Sequence, residues 1–368
     1  MSKAAELAAL IGSQTALSNR NLIINGAMQV AQRGDVTGIT GSSYGGPDRF
    51  ELNASSIGTF TISQSSTAPT GFKNSWKVDC TTADASPASG DLLRVSYRIE
   101  GQDLQQLAYG TSGAKAITLS FYVRSNKTGT YNVQFQQIDN SFKQAVLSYT
   151  IDSADTWEFK SITVPGDTSG LINDDNGDGL ALFWILGAGS TFTSGSERST
   201  YTAFANGDVA PTQTVNLADN TANEWMITGV QLEVGEQATP FEHRSYGDEL
   251  LACMRYYQQI GGELSNVLCT GQCTSSTLAQ FFIPFIVPVR ADPTCSVSDQ
   301  THFRVFNAAV SGIPDTTNMT IAATNAASHG GFRILTTVGS GLVAGNATML
   351  SGSDSDNNAG IIKMDAEL

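Results

Sequence analysis

The residues whose types and spacing best suit ligand binding form an acidic cluster at residues 173–179. Asp174, Asn176 and Asp178 place side-chain oxygens at alternate positions and a glycine follows, as in the first half of a calcium-binding loop. The glutamate that would complete such a loop is absent, because Ile185 stands at its position. Two interpretations stay open: an Asx-rich turn that leads into a strand, and a structural Ca²⁺ site formed by these three side chains.

Four side chains are candidates for binding a sugar. Aromatic rings cover the apolar face of a pyranose, and planar amides form hydrogen bonds with its hydroxyls. Trp76 and Trp157 follow turn-like segments, which predicts partial exposure, whereas the other two tryptophans lie in very apolar strands and are expected in the core. Gln134 and Gln136 alternate with apolar residues and therefore share one face of a predicted strand. That face could equally be ordinary solvent surface.

Signals for catalysis are scarce. The three histidines belong to no metalloprotease motif, and the sequence contains neither a nucleophile elbow nor a phosphate-binding glycine loop. No nucleophile is marked near His243, which we interpret as a surface histidine. The acidic turns at Asp139, Asp152 and Asp155 could supply two carboxylates for glycoside hydrolysis, but nothing distinguishes them from solvated turns. We therefore expect a protein that is not an enzyme and has no certain cofactor.

The cysteines do not indicate a disulfide framework, because their number, five, is odd and the chain is long. We expect reduced and mostly buried thiols. The alternative is a zinc site that combines Cys269 and Cys273 with Cys253, Cys295 and His302, although no other signal supports a metal there.

The charge and hydropathy of the chain exclude several kinds of partner. Its formal net charge is −14, which disfavours nucleic acid and anionic lipid surfaces. No apolar run approaches the roughly 20 residues of a membrane span, and the first ten residues lack the apolar core of a signal peptide. We expect no nucleic-acid partner, no membrane insertion, and folding in the compartment where the chain is made.

The elements that would position these residues are mostly strands. Residues 2–11 form one helical candidate, with Leu7, Leu10 and Ile11 on one face. From Asn21 onward apolar residues recur with a period of two, in runs of about 5–8 residues bounded by turn-forming residues. A slip in this alternation at Gly229 predicts a β-bulge. Strands that follow one another without intervening helices predict an antiparallel sandwich or barrel.

Five stretches of the sequence resemble phage tail-fibre and virion structural proteins. They are residues 19–34 (NRNLIINGAMQVAQRG), 47–50 (PDRF), 230–235 (VQLEVG), 238–242 (ATPFE) and 251–258 (LACMRYYQ). In that family the first of them is the opening strand of a jelly-roll module similar to carbohydrate-binding modules, and the third and fourth form its closing strand. The resemblance implies that the first and last strands of the module pair.

The resemblance implies four segments. They are a docking peptide with a short helix at residues 1–18, a jelly-roll carbohydrate-binding-like domain at 19–246, a helical linker at 247–259, and a smaller β-sandwich tip domain at 260–368. The expected fold class is therefore all-β.

The resemblance also implies a role and partners. The protein would be a tail-fibre subunit of the virion, assembled in the host cytoplasm, that attaches to host surface polysaccharide. It would form a homotrimer and dock to other tail or baseplate proteins through residues 1–20. The alternatives are a head fibre or capsid decoration protein and, as an enzyme, a polysaccharide depolymerase.

Overall fold

The computed structural model describes residues 19–264, 266–307, 316–327, 330–352 and 360–368. The helix predicted at residues 2–11 and the docking peptide at 1–18 lie outside the described residues. The chain divides into two compact units. One runs up to Glu249 and includes Leu368, and the other is Leu250–Glu367.

The first unit is built from strands β1 to β13. In chain order they are Val36–Ile39, Ser42–Tyr44, Glu51–Ser55, Thr59–Ser65, Ser75–Thr82, Leu92–Glu100, Ile117–Ser125, Gly129–Gln137, Lys143–Ile151, Glu158–Val164, Asp178–Ala188, Arg198–Thr202 and Glu224–Val234. Short 3-10 turns at Gly101–Leu107, Asn206–Asp208 and Leu217–Asp219 connect some of them.

These strands form two antiparallel sheets. Sheet A has the order β1-β4-β5-β13-β7-β10, and sheet B has the order β12-β9-β8-β11-β6-β3-β2. Within them, β5-β13-β7-β10 faces β6-β11-β8-β9, and the chain crosses repeatedly from one sheet to the other. This is a jelly-roll sandwich, as the resemblance to tail-fibre proteins implies.

Alternating side chains build one core between the two sheets. Phe121 of β7 meets Trp184 of β11 edge to face, with ring centroids 5.9 Å apart. Strand β11 is buried on both faces, because Phe183 and Ile185 on its other side pack against Val209 of the chain between β12 and β13. The continuous apolar run at residues 180–186 predicts a strand that is buried on both faces, and the structure confirms it.

The bulge predicted at Gly229 is confirmed. The register of β13 against β7 shifts between Thr228 and Gln231, and Gly229 has a φ of +62°, which favours glycine. Strand β13 pairs with β5 only from Glu224 to Ile227, so its second half needs another partner on that side.

That partner is residues 19–34, although the prediction that they form a strand is wrong. No strand precedes β1 in the described residues. The segment nevertheless lies along β13, since Val230 N donates to Gly26 O at 2.9 Å. The Asn21 amide donates to Val230 O and accepts from Leu232 N, both at 3.1 Å. An asparagine amide thus imitates a peptide group and continues the pairing.

The second unit is a smaller sandwich. After helix α1 (Tyr246–Met254), its strands β14 to β22 are Tyr257–Gly261, Val267–Cys273, Leu278–Pro284, Thr294–Val297, Phe303–Asn307, Thr316–Ala327, Gly331–Val338, Ala347–Gly352 and Ile361–Asp365. A three-stranded sheet β14-β22-β17 faces a six-stranded sheet β18-β21-β15-β16-β20-β19. Their shared core includes Phe281, Phe332 and Ile362.

The helix predicted at residues 247–259 is shorter than expected. It ends at Met254, and Tyr257 already begins β14, where it pairs with Asp365. Ser245 caps the helix, because its hydroxyl accepts from Asp248 N at 3.2 Å and donates to the Asp248 carboxylate at 2.7 Å. Among the described residues, no helix has the length and apolar character needed to cross a membrane.

Candidate functional site

Trp76 is a core residue, and the prediction that it is partly exposed is wrong. Its side chain is 0% exposed and lies on the inner face of β5, near the ring of Phe50. The indole Nε1 donates to Gly45 O at 2.9 Å, so the polar atom is satisfied inside the protein. The turn before Trp76 ends at Asn74, and the alternation of β5 then directs the indole inward.

Trp157 is partly exposed, as predicted, in the turn before β10. Its indole Nε1 is buried without a hydrogen-bond partner among the described residues. Its role in sugar binding stays a prediction.

Gln134 and Gln136 share the outer face of sheet B, but they are buried rather than presented to solvent. Gln134 is 0% exposed and Gln136 is 8% exposed. Gln134 Nε2 donates to Gln144 Oε1 at 2.6 Å, and Gln144 Nε2 donates to Ala205 O at 3.0 Å. These amides therefore hold the chain that covers this face. The four predicted residues lie in three different places and form no common site.

The acidic cluster adopts the Asx-rich turn. Asp175 Oδ1 accepts from Gly177 N at 2.9 Å. The Asp178 carboxylate pairs with Arg98, although burial raises its pKa. Asp174 and Asn176 are exposed. The described residues contain no group of three or more His, Cys, Asp and Glu side chains able to hold a metal, so the Ca²⁺ and zinc hypotheses gain no support.

None of the five cysteines, all of which lie in the described residues, forms a disulfide, and Cys80, Cys253 and Cys273 are buried, as the sequence predicted. Burial raises the pKa of Cys269 to about 12 and that of Cys295 to about 11, so both stay protonated near neutral pH. His243 is exposed, also as predicted.

The opposite face of the sandwich, the outer face of sheet A, carries a groove. Two adjoining cavities of about 560 Å³ and 420 Å³ share Gly71, Phe72 and His243. We call them together the aromatic groove. Six side chains give it this character: Phe72, Tyr122, Phe159, Phe241, His243 and Tyr246.

Two neighbouring strands supply the floor of the aromatic groove. Tyr122 of β7 lies directly opposite Phe159 of β10, and their ring centroids are 5.2 Å apart. Both belong to the outward phase of strands whose inward phase is core, such as Phe121. Phe159 is 50% exposed, so one large aromatic surface faces solvent on an open sheet.

The bulge shapes the middle of the floor. Phe72, from the loop between β4 and β5, packs on Tyr122 with ring centroids 5.5 Å apart, beside Gly229. A Cβ atom at position 229 would lie 2.7 Å from Phe72 Cζ and 3.0 Å from Tyr122 Cδ2. Only glycine therefore lets the Phe72 ring approach the sheet this closely.

Residues 230–235 and 238–242, which resemble the end of the tail-fibre module, hold the rim of the groove. Thr239 N and Oγ1 donate to the Glu233 carboxylate at 2.8 and 2.7 Å. Glu242 N donates to Gln231 Oε1 at 2.8 Å. These bonds fix the chain on either side of Phe241, whose ring stands edge-on to Phe72 at 5.0 Å.

The two ends of the groove differ in chemistry. The Phe159 end is lined mainly by rings and Pro240, whereas Gln29, Lys73 and Asn74 line the other end. Rings that stack on flat apolar faces, next to amides that bond hydroxyls, are suited to saccharides. No carboxylate lines the larger cavity among the described residues.

The sequence motifs do not single out these residues, although one signal in the sequence points to them. In β7 the outward phase contains Thr118 and Ser120, followed by the large ring of Tyr122. Tyr122 and the facing Phe159 place two large rings side by side in the outward phase, and a contiguous apolar patch of this kind is typical of an interaction surface. The contributions of Phe72 and Phe241 depend on loop paths, which alternation does not predict.

Comparisons with known proteins give likenesses of fold alone. No family model and no curated protein matches the chain. Among solved structures, the enzymatically active domain of tailspike protein 4 from bacteriophage CBA120 is similar at 12% identity and a TM-score of 0.33. The match covers 58% of this chain and only 21% of that one.

Two carbohydrate-binding modules from Clostridium thermocellum are also similar. The family 22 module of Xyn10B has 10% identity and a TM-score of 0.31, covering 60% of this chain and 99% of the module. The family 11 module of Lic26A-Cel5E has 11% identity and a TM-score of 0.29, covering 55% and 99%. Likeness at this level carries no information on what this chain binds.

Proposed function

We propose that this chain is a glycan-binding protein that holds saccharides in the aromatic groove without cleaving them. The observation that carries the proposal is the row of contacting rings on the outer face of sheet A, with Phe159 half exposed beside Tyr122. An apolar patch rimmed by polar groups on a stable surface is typical of a binding site. Hydrolysis of a glycoside needs two carboxylates beside the scissile bond, and the described lining of the larger cavity offers none.

The groove is shallow and open, so each site binds weakly. An aromatic contact contributes on the order of 1 kcal/mol beyond the area it buries. Several copies held together would multiply such weak sites into strong adhesion through avidity.

The biological setting that we propose is attachment of a phage to its host. The motifs at residues 19–34 and 238–242, which resemble those of tail-fibre proteins, support this setting. In it, the protein is a homotrimeric tail-fibre subunit of the virion that docks through residues 1–20 and meets host surface polysaccharide.

The test measures binding and cleavage on the same samples. Purified full-length protein is titrated with a panel of surface polysaccharides, and the release of reducing ends is followed in parallel. We expect saturable binding without products. The variant Phe159→Ala should weaken binding about tenfold, because one stacking surface is lost.

A matched control is Phe204→Ala, which removes a second exposed phenylalanine (41% exposed) outside the groove. It should bind like the unaltered protein. Equal losses in both variants, or binding that survives the loss of Tyr122 and Phe159 together, would show that the groove is not the site. Release of reducing ends would establish a depolymerase instead.

A further inference from the structure

The second unit carries a separate group of side chains on the outer face of its six-stranded sheet. In β16, Gln280 and Phe282 share one face, and their cross-strand partners are Gln272 of β15 and Arg333 of β20. With Thr270 they line a cavity of about 380 Å³. We call these five residues the Arg333 patch.

The position of Arg333 is set by the strands. It lies directly opposite Phe282 and is half-buried, while the Phe282 ring is 58% exposed. The Nε atom of Arg333 is buried and has no hydrogen-bond partner among the residues that the structure describes. A buried guanidinium N–H without an acceptor is costly, and a ligand acceptor would remove that cost.

The Phe282 ring lies against the backbone beneath it. A Cβ atom at Gly331 would come within 2.7 Å of Phe282 Cζ, so glycine allows the ring to lie close over the start of β20. The ring is thereby supported from below and stays exposed above.

The chemistry of the patch points to one kind of ligand. A guanidinium presents planar N–H donors that match a carboxylate. An exposed ring stacks on a flat apolar face. The amides of Gln272 and Gln280 and the hydroxyl of Thr270 both donate and accept, as vicinal hydroxyls require. We infer that the Arg333 patch is a second saccharide site, selective for a sugar that carries a carboxylate.

A carboxylate on a peptide would satisfy Arg333 equally well. A peptide, however, lacks the closely spaced hydroxyls of a sugar, with which the two amides and the Thr270 hydroxyl could form hydrogen bonds. The observations therefore favour an acidic saccharide, and an acidic peptide becomes a comparison in the test.

The experiment uses the full chain and binding calorimetry. The probes are trigalacturonate and sialyllactose, the methyl ester of each, and a pentaglutamate peptide. We expect at least one acidic saccharide to bind, with its methyl ester about tenfold weaker or more, because a hydrogen-bonded charge pair is lost. Arg333→Gln and Phe282→Ala should each reduce this binding about tenfold, whereas Lys363→Gln, which alters a cation in β22, should not.

Several outcomes would overturn the inference. They are equal binding of acid and ester, unchanged binding in Arg333→Gln, equal binding of pentaglutamate, or no binding of either acidic saccharide. Circular dichroism of each variant checks that the second unit is folded. Phe159→Ala separates the two proposals, because it should weaken binding at the aromatic groove and leave binding at the Arg333 patch intact.

Discussion

The two outer faces of the jelly roll differ in how far their outward-pointing side chains are buried. On sheet B, Phe183 is 2% exposed beneath Arg94, whose guanidinium lies 4.2 Å from the ring centroid, and beside Val209. On sheet A, Phe159 is 50% exposed and borders the aromatic groove. Both phenylalanines point away from the central core. The difference between them lies in what the connecting segments cover.

This difference teaches how a polar strand face should be interpreted. Gln134 and Gln136 were attractive as sugar ligands because they alternate with core residues. The structure uses such amides to fasten the covering chain through Gln144 and Ala205. The exposed part of the outer face of sheet A, at Phe159, carries rings instead. Phe72 and Tyr122 contact each other, so part of their apolar surface is already buried without a ligand.

The largest expected effect comes from exchanging the two phenylalanines for alanine. Phe183→Ala should lower the free energy of unfolding by about 3–5 kcal/mol, because it leaves a cavity in a packed layer. Phe159→Ala should change it by no more than about 0.5 kcal/mol, since the ring is at the surface. Denaturant titrations measure both values. Similar losses in the two variants would break the contrast between the faces.

A smaller effect is expected from Gln134→Leu. It removes the donor to Gln144 Oε1 in a buried site, which should lower the free energy of unfolding by about 1–3 kcal/mol. Saccharide binding should not change, because the residue is enclosed. Gln106→Leu, at an exposed glutamine, serves as the control and should leave stability unchanged. Weakened binding in folded Gln134→Leu protein would restore sheet B as the binding face.

Gly229→Ala tests how the groove is built. The alanine must adopt a φ near +62°, which costs about 1–2 kcal/mol, and its Cβ must displace Phe72. Gly38→Ala has the same backbone problem at a φ of +72°, with open space around it. We expect Gly229→Ala to lose at least as much stability as Gly38→Ala, because it adds the displacement of Phe72 to the same backbone cost, and we expect a loss of saccharide affinity only in Gly229→Ala. Calorimetry resolves the two, and equal affinities would contradict this account of the floor.

The smallest expected effect is a change in the free energy of unfolding at acidic pH. The hydrogen bond from Arg198 holds the pKa of Asp208 below its ordinary value of 3.8, and Ser196 N adds a second bond. The stability contributed by this carboxylate is therefore present above that pH and is lost as the pH falls through the lower folded value. The unfolding free energy of Asp208→Asn should approach that of the unaltered protein as the pH falls below about 4. A constant gap from pH 6 to pH 3 would refute the assignment.

The sequence predicted the β-sandwich well, because burial of one strand face imposes a period of two. It predicted the doubly buried β11 well, because burial of both faces gives an unbroken apolar run. It also predicted the bulge at Gly229, because a phase slip at glycine has one simple structural cause. The prediction of a strand at residues 19–34 failed, because the side-chain amide of Asn21 pairs with β13 in place of a strand backbone. The prediction of the site failed because Phe72, Phe241 and Tyr122 converge only through loop paths and sheet order.

The placement of β13 has a consequence for how the chain acquires its fold. This strand is the last of the first unit, yet it lies in the middle of sheet A, between β5 and β7. The hydrogen bonds of Asn21 with it span 209 and 211 residues. During synthesis, the two halves of sheet A, β1-β4-β5 and β7-β10, cannot join until residues 224–234 have left the ribosome. Such long-range closure slows folding. The insertion of β13 also completes the bulge under Phe72, so the aromatic groove should form only in the last step of the folding of the first unit.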